Sequence, residues 1–263
     1  MTHAAASLLR LLGLLLVTAL SLQLFFLARV ALMAWVDPQS TAFQRSEIWR
    51  ITLDKHALPW AQQWVAYPRI APSLKRAVIA SEDSGFSDHS GVEWDALERA
   101  WERNQKAEAT AQRIEYEAAR RGLRATPGRT MPARSGAHPP TPVVGGSTIT
   151  QQLAKNLFLG GERSLARKGQ EIVITGFLEA LLSKERILEI YLNSVEWGEG
   201  VFGAEAAARY YFHVPAARLS TAQSARLAVM LPAPKRFEKR PASPYVLGRA
   251  ATVMARMGSV EVP

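Results

Sequence analysis

From Leu11 to Ala28 the chain runs eighteen residues without a charged side chain, and only Gln23 among them is strongly polar. As a helix this run reaches about 27 Å, close to the roughly 30 Å hydrocarbon core of a bilayer. Arg10 stands just before it and Arg29 just after it, with Trp35 near the far edge as an interfacial anchor. A cleaved signal peptide is the competing reading, but its apolar core is typically about 7–15 residues. Nor does a small-x-small cleavage pattern follow in a polar setting, since Val30 to Val36 is apolar as well. An uncleaved membrane anchor over 11–33, behind a short cytoplasmic tail at 1–10, is therefore expected. Before the run only Arg10 and His3 are basic, so orientation is weakly coded.

The rest of the chain reads as globular, with 48% hydrophobic and 21% charged residues in 263. The formal net charge of +9 asks for an anionic partner: nucleic acid, an anionic lipid surface or a phosphorylated substrate. The absence of cysteine excludes disulfides and thiolate metal sites. His89, His138 and His213 lack ligand spacing, which argues against a histidine metal centre.

Asp37-Pro38-Gln39-Ser40 breaks the first helix, and 34–66 reads as a juxtamembrane connection and the start of the domain. The stretch Leu74 to Ala80 is helical in pattern, with Leu74, Ala77 and Val78 on one face. Glu93 to Arg103 is a further helical candidate. From Arg103 to Thr141 eight Lys/Arg face three Glu, and the second half is rich in proline and glycine. That segment reads as a basic, partly disordered insertion, with a short helix from Ala107 to Arg121. Beyond Gly145 the pattern is helical nearly throughout: Arg163 to Ser183, Lys184 to Asn193, Ala204 to Phe212, Thr221 to Leu231 and Pro244 to Met257. Thr148-x-x-Gln151 and Ser220-x-x-Gln223 fit the capping box at helix starts. No run alternates convincingly and no repeat is visible, so the expected class is mainly α.

Four constellations carry chemistry. Glu82-Asp83-x-x-Phe86-x-x-His89-x-Gly91 puts a carboxylate at a helix end, where burial can lift its pKa toward that of a general base; a solvated acidic pair is the bland alternative. Gly145-Gly146-Ser147-Thr148-Ile149-Thr150-Gln151-Gln152-Leu153-Ala154-Lys155-Asn156-Leu157 combines an apolar stripe (Ile149, Leu153, Leu157) with polar residues pointing elsewhere. Its Gly-Gly turn offers backbone amides to an anion, with Lys155 further along. Arg163, Arg167 and Glu171 line one helix face beside Lys168, either as an exposed ion-pair ladder or as a phosphate grip. The last is Lys184 to Asn193, followed by Glu196-Trp197-Gly198-Glu199-Gly200-Val201-Phe202-Gly203. It contains a G-x-G-x-x-G match, but it follows a helix, no βαβ unit surrounds it, and position 223 is Gln. A tight turn and close helix packing explain these glycines better.

In this order the motifs resemble the monofunctional biosynthetic peptidoglycan glycosyltransferase (transglycosylase) family from about Tyr67 to Met257. The Glu-Asp-x-x-Phe-x-x-His-x-Gly box, the Gly-Gly-Ser-Thr-Ile-Thr-Gln-Gln-Leu-Ala-Lys-Asn block, the Arg-Lys-x-x-Glu box, Tyr191-Leu192-Asn193 through Tyr211-Phe212, and Leu231-Pro232-Ala233-Pro234 all match. The resemblance implies a lysozyme-like helical domain over 67–258, with a smaller membrane-associated jaw and a tail at 259–263. It implies that lipid II is polymerised by inverting β-1,4 transfer with release of undecaprenyl pyrophosphate, outside the cytoplasmic (inner) membrane, on its periplasmic side. Glu82 then matches the general base and Glu171 the second carboxylate. Lys155 and Arg163 match the cations on the donor pyrophosphate, with Arg167 and Lys168 completing a basic patch. Gln151 and Gln152 would hydrogen-bond substrate, and Thr148, Asn156, Asp83 and His89 belong to the same matched boxes as binding residues.

No cofactor is obligatory on this reading; a divalent cation (Mg2+ or Mn2+) at the pyrophosphate, with Glu171 as its ligand, stays open. The implied partners are lipid II, the growing lipid-linked strand, anionic membrane lipids and cell-division or elongation proteins, and no nucleic acid. No transpeptidase domain is expected, since the chain stops soon after the last motif and no Ser-x-x-Lys appears with its companions. The basic segment at 103–141 separates the first two boxes by more than the family pattern calls for, and is expected to lie on the membrane surface. A lytic transglycosylase of the same fold and an inactive membrane-anchored scaffold are the alternatives.

Overall fold

A computed structural model of the chain describes residues 3–55, 60–94, 98, 102, 105–106, 110, 113, 147–160 and 164–263. The chain divides into two units, Met1–Val92 with Thr148–Pro263, and Glu93–Ser147. In the second unit Trp94, Glu98, Glu102, Gln105, Lys106, Thr110 and Arg113 are helical. The rest of the expected basic insertion, including its Pro-rich half and most of its short helix, lies outside the described residues.

The first unit opens with α1 (His3–Leu32), which extends past the apolar run at both ends. Its Ser7–Leu32 portion is long and apolar enough to cross a membrane. Most of its side chains are exposed, but Phe26, Val30 and, just past its end, Met33 are buried. Phe26 sets its ring edge-on to Phe158, 5.3 Å between centroids. Gln23 and Gln170 exchange amide hydrogen bonds of 2.7 and 3.0 Å. The one strongly polar residue of the run thus finds a matched partner, the arrangement that makes an amide tolerable away from water.

After the break at Asp37-Pro38 comes α2 (Ala42–Lys55), within the stretch read from sequence as a juxtamembrane connection and the start of the domain. Thr41 Oγ1 accepts from Gln44 N at 3.0 Å, and Gln44 Oε1 accepts from Thr41 N at 2.8 Å. This reciprocal pair is a third capping box, and it starts the helix. Gln44 then donates to Ser194 O at 3.1 Å, tying α2 into the domain.

Proline opens α3 (Pro72–Glu82), where its missing N–H costs nothing. Leu74, Ala77, Val78 and Ile79 are all buried, so this short helix is central. It packs against α8 (Thr221–Met230) and α10 (Pro244–Arg256). Three further helices are α4 (Ile149–Phe158), α5 (Leu165–Leu181) and α6 (Lys184–Ser194). Each begins at a hydroxyl N-cap, Thr148, Ser164 or Ser183, accepting a backbone N–H from three residues on. α7 (Ala204–Phe212) ends at His213 in the left-handed region, and the four-residue α9 (Pro234–Phe237) follows α8. The predicted helices from Lys184 onward agree with these to within a residue at each end.

The mainly helical class holds, with one addition. β1 (Ala61–Gln62), β2 (Glu196–Gly198) and β3 (Val201–Phe202) form a small sheet in the order β1-β3-β2. β1 runs parallel to β3 and β2 antiparallel. Strands of two or three residues are too short for an alternation signal. Gly200, at φ +74°, turns the chain between β2 and β3. Gly203, at φ +81°, lets α7 start against α6: a Cβ there would stand 2.6 Å from Asn193 O. The G-x-G-x-x-G match is a turn and a close packing contact.

Candidate active site

Burial of α3 fixes where its last residue, Glu82, can point. Gln152 of α4 donates Nε2–H to Glu82 Oε2 at 3.1 Å, and Tyr191 of α6 donates its hydroxyl to Gln152 Oε1 at 2.9 Å. Ser81 Oγ approaches Glu82 Oε1 at 3.4 Å. Three helices thus meet on one carboxylate. Burial raises the Glu82 pKa above the ordinary carboxylate range; Gln152 and Ser81 oppose the shift and neighbouring Asp83 adds to it. The result is a carboxylate with increased proton affinity, the property a general base needs near neutral pH.

Asp83 and His89, taken from the sequence as binding residues, are instead turned inward. The buried Asp83 places Oδ1 2.8 Å from His89 Nε2, and its Oδ2 accepts from Ile149 N at 2.9 Å. A carboxylate at the first turn of α4 also meets the positive end of that helix. His89 Nδ1 accepts from Gly91 N at 3.1 Å, which leaves the proton on Nε2, facing Asp83. Asp83 raises the His89 pKa, but a second proton would have to displace the Gly91 N–H from Nδ1. The geometry holds the neutral ring. Lys184 donates to His89 O at 2.6 Å and pairs with Glu179 at 2.9 Å, while Thr150 donates to Glu179 at 2.6 Å. None of these three fastening residues was singled out from the sequence as a site residue.

Thr148 and Gln151 also depart from their expected role. Both are buried, and their side chains close the α4 capping box; Thr148 Oγ1 donates as well to Gly91 O at 2.6 Å. Their polar atoms build the helix start. Gln152 and Asn156 are half-buried on the same helix, and Lys155, between them, is exposed.

One turn beyond Gln152, Lys155 makes no ion pair or hydrogen bond through Nζ among the described residues. Its pKa is nevertheless lowered: protein crowding around the ammonium is the largest cause, and Arg167 and Lys168 repel it while Glu171 attracts it. On the first turns of α5, Arg167 Nη1 pairs with Glu171 Oε2 at 3.1 Å, and Lys168 Nζ pairs with Glu171 Oε1. Glu171 is buried, and Arg167 Nε is buried without a hydrogen-bond partner among the described residues. Two cations pair with one carboxylate and Lys155 feels the field of all three groups, so the described cluster has excess positive charge. Arg163 and the Gly145-Gly146 turn lie outside the described residues.

Both oxygens of Glu171 pair with cations, so a divalent ion bound there would have to displace Arg167 or Lys168.

The model of the family described as "Transglycosylase" matches residues 53–112 and 134–258, passing over 113–133. Among curated proteins, the chain is 51% identical over 244 residues to the biosynthetic peptidoglycan transglycosylase of Burkholderia thailandensis, covering 93% of this chain and 83% of that one. It is 48% identical over the same length to the protein of that name from Paraburkholderia xenovorans, covering 93% and 88%. The two matched segments take in Glu82, Gln152, Lys155 and Glu171 alike, and the match extends over most of the chain: it belongs to the transglycosylase family, whose catalytic domain is lysozyme-like.

Proposed function

We propose that this chain polymerises lipid II into peptidoglycan glycan strands, with Glu82 as general base and the Lys155–Arg167–Lys168 cluster as the grip on the donor pyrophosphate. The observation that carries this reading is that α4 presents both centres: Gln152 reaches the Glu82 carboxylate, and Lys155, three residues on, joins the α5 cations. The relatives' shared name, biosynthetic peptidoglycan transglycosylase, supports the same chemistry.

In this mechanism the acceptor sugar's 4-hydroxyl attacks the anomeric carbon of the lipid-linked strand. Glu82 takes the hydroxyl proton as the new C–O bond forms. The bond to pyrophosphate breaks, and undecaprenyl pyrophosphate leaves with the electron pair. An α-linked donor that gives a β-1,4 bond requires inversion, hence a single in-line displacement. Negative charge grows on the leaving group, so fixed cations stabilise the transition state more than the ground state. Lys155, Arg167 and Lys168 supply that field, joined in this reading by Arg163. Glu171 holds two of them in place, and Gln152 orients Glu82. No step needs a metal.

In this reading α1 anchors the chain in the cytoplasmic membrane as a single pass, with the catalytic residues on the periplasmic side where lipid II is presented. Division or elongation proteins would be recruited through that anchor. The test is purified lipid II incubated with the full-length protein in detergent, with products separated by size. High-mass glycan together with released undecaprenyl pyrophosphate supports polymerisation. Soluble fragments from finished peptidoglycan, with no polymer from lipid II, would overturn it in favour of a lytic enzyme.

A further inference from the structure

The end of α1 forms a feature that the catalytic reading does not use. Two adjoining hollows, about 220 and 190 Å3, lie between the last turns of α1, the start of α2 and the end of α4. Arg29, Met33, Ser40 and Arg45 line both. The smaller is floored by Phe25, Phe26 and Phe158. Arg29 has no ion pair or hydrogen bond among the described residues, and Arg45 is held only by Ser40, whose carbonyl and hydroxyl oxygens accept from Nη1 at 3.1 Å each. The nearest carboxylate on the rim, Asp37, is taken by Arg186 at 2.7 Å, and Arg186 also pairs with Glu189. Neither arginine is paired with a carboxylate among the described residues.

Depth along α1 says what meets them. Arg10 and Arg29 are nineteen residues apart, about 28 Å along a helix, close to the roughly 30 Å hydrocarbon thickness. With α1 across the membrane, Arg29 lies at the level of the lipid phosphates, and Phe25, about 6 Å deeper, at the level of the chains. Exposed Trp35 stands just beyond, the usual depth for an interfacial ring. The hollow is cationic at phosphate depth and aromatic at chain depth.

We propose that this cleft binds one anionic membrane phospholipid, its phosphate between Arg29 and Arg45 and its acyl chains along Phe25, Phe26 and Phe158. The proposal rests on α1 crossing the membrane and is independent of which residues carry out glycosyl transfer.

The test is native mass spectrometry of the full-length protein in mild detergent with equal phosphatidylglycerol and phosphatidylcholine. One phosphatidylglycerol should be retained per chain in preference to phosphatidylcholine. Arg29→Gln with Arg45→Gln should lower that retention by about tenfold or more, as expected for two basic residues at a lipid surface. The Arg29→Lys, Arg45→Lys pair should largely keep it, and Arg249→Gln on α10 should not change it. Thermal melting of each variant checks the fold; if the double variant melts early, Arg29→Gln alone is used, because Arg29 has no partner to lose among the described residues. Equal retention of the two lipids, or wild-type retention by the glutamine variant, would overturn the proposal. So would displacement by millimolar inorganic phosphate, which would mark a free-anion site, or by undecaprenyl pyrophosphate at lower concentration, which would mark a substrate site. Membrane insertion, scored separately by flotation, tells failure of the site from failure of the anchor.

Discussion

Gln152 donates its amide N–H to Glu82 Oε2 at 3.1 Å, and it can do so because its own oxygen is held from the other side by the buried Tyr191 hydroxyl. An amide is free to flip unless both ends are engaged, and the flipped form would turn oxygen toward carboxylate. Tyr191 therefore acts on Glu82 through Gln152. Tyr191→Phe removes one buried hydrogen bond, a cost of about 1 kcal/mol in stability. The expected kinetic effect is a fall in kcat of about three- to thirtyfold with KM little changed. Lipid II polymerisation rates at saturating substrate measure it; an unchanged kcat would show that the relay has no part in turnover.

Burial raises the Glu82 pKa, so the base is lost to protonation sooner than an ordinary glutamate would be. The acid limb of kcat/KM should have its midpoint above 4.5, the ordinary value for this side chain. A profile flat down to that pH, in protein still folded, would contradict the assignment.

Glu196 offers a pH effect on stability, away from that site. It is buried, Oε1 lacks a hydrogen bond among the described residues, and Lys235 Nζ stands 3.7 Å away. Burial, reinforced by Glu47 and Glu238 and opposed by Lys235, pushes its pKa up to about 7. Between the unfolded carboxylate value and 7 the folded state binds the extra proton, so stability falls as pH rises through that window. Glu196→Gln removes this dependence. Its stability relative to wild type should rise by about 2–3 kcal/mol from pH 4 to pH 8, read from denaturant melts at the two pH values.

Gly203 has no room for a side chain. Its φ is +81°, and a Cβ would stand 2.6 Å from Asn193 O, on the residue whose side-chain amide hydrogen-bonds both backbone groups of Val65. Gly203→Ala should destabilise the domain by about 2–4 kcal/mol through strain and displacement of Asn193. A thermal melt within a degree of wild type would refute that packing role.

Gln23 and Gln170 form a reciprocal pair, so either single change to leucine leaves one amide without its partner. Each single variant should lose about 1 kcal/mol of stability, and the double variant less than the sum of the two. Thermal stability in detergent for the four proteins closes the cycle.

Most of the helical frame was legible in sequence because its signals are local. Hydroxyl caps, a Pro at N1 and apolar stripes mark α3 and the helices from α4 onward within short windows. The capping box at Thr41 was equally local, but its helix follows an anchor and has a weak apolar stripe, which hid α2 in a presumed linker. The sheet was invisible because its strands have only two or three residues and β1 pairs with β3 across more than a hundred positions. At the site, residue types placed Glu82, Lys155 and Glu171 through resemblance to a known motif order. They could not separate residues that face a ligand from those that build the frame. Asp83, His89, Thr148 and Gln151 occupy the same boxes but spend their polar atoms on one another and on helix ends, a distinction set by tertiary packing.

The most direct test of the account compares Glu82→Gln with wild type in polymerisation of purified lipid II. Glutamine keeps the shape and the contact with Gln152 but cannot accept the hydroxyl proton. Turnover should fall by about a hundredfold or more, the contribution typical of a positioned base, with unchanged melting behaviour or slightly higher stability at neutral pH, since a carboxylate costly to ionise has been removed. A folded Glu82→Gln protein that makes glycan within a few-fold of the wild-type rate would contradict it.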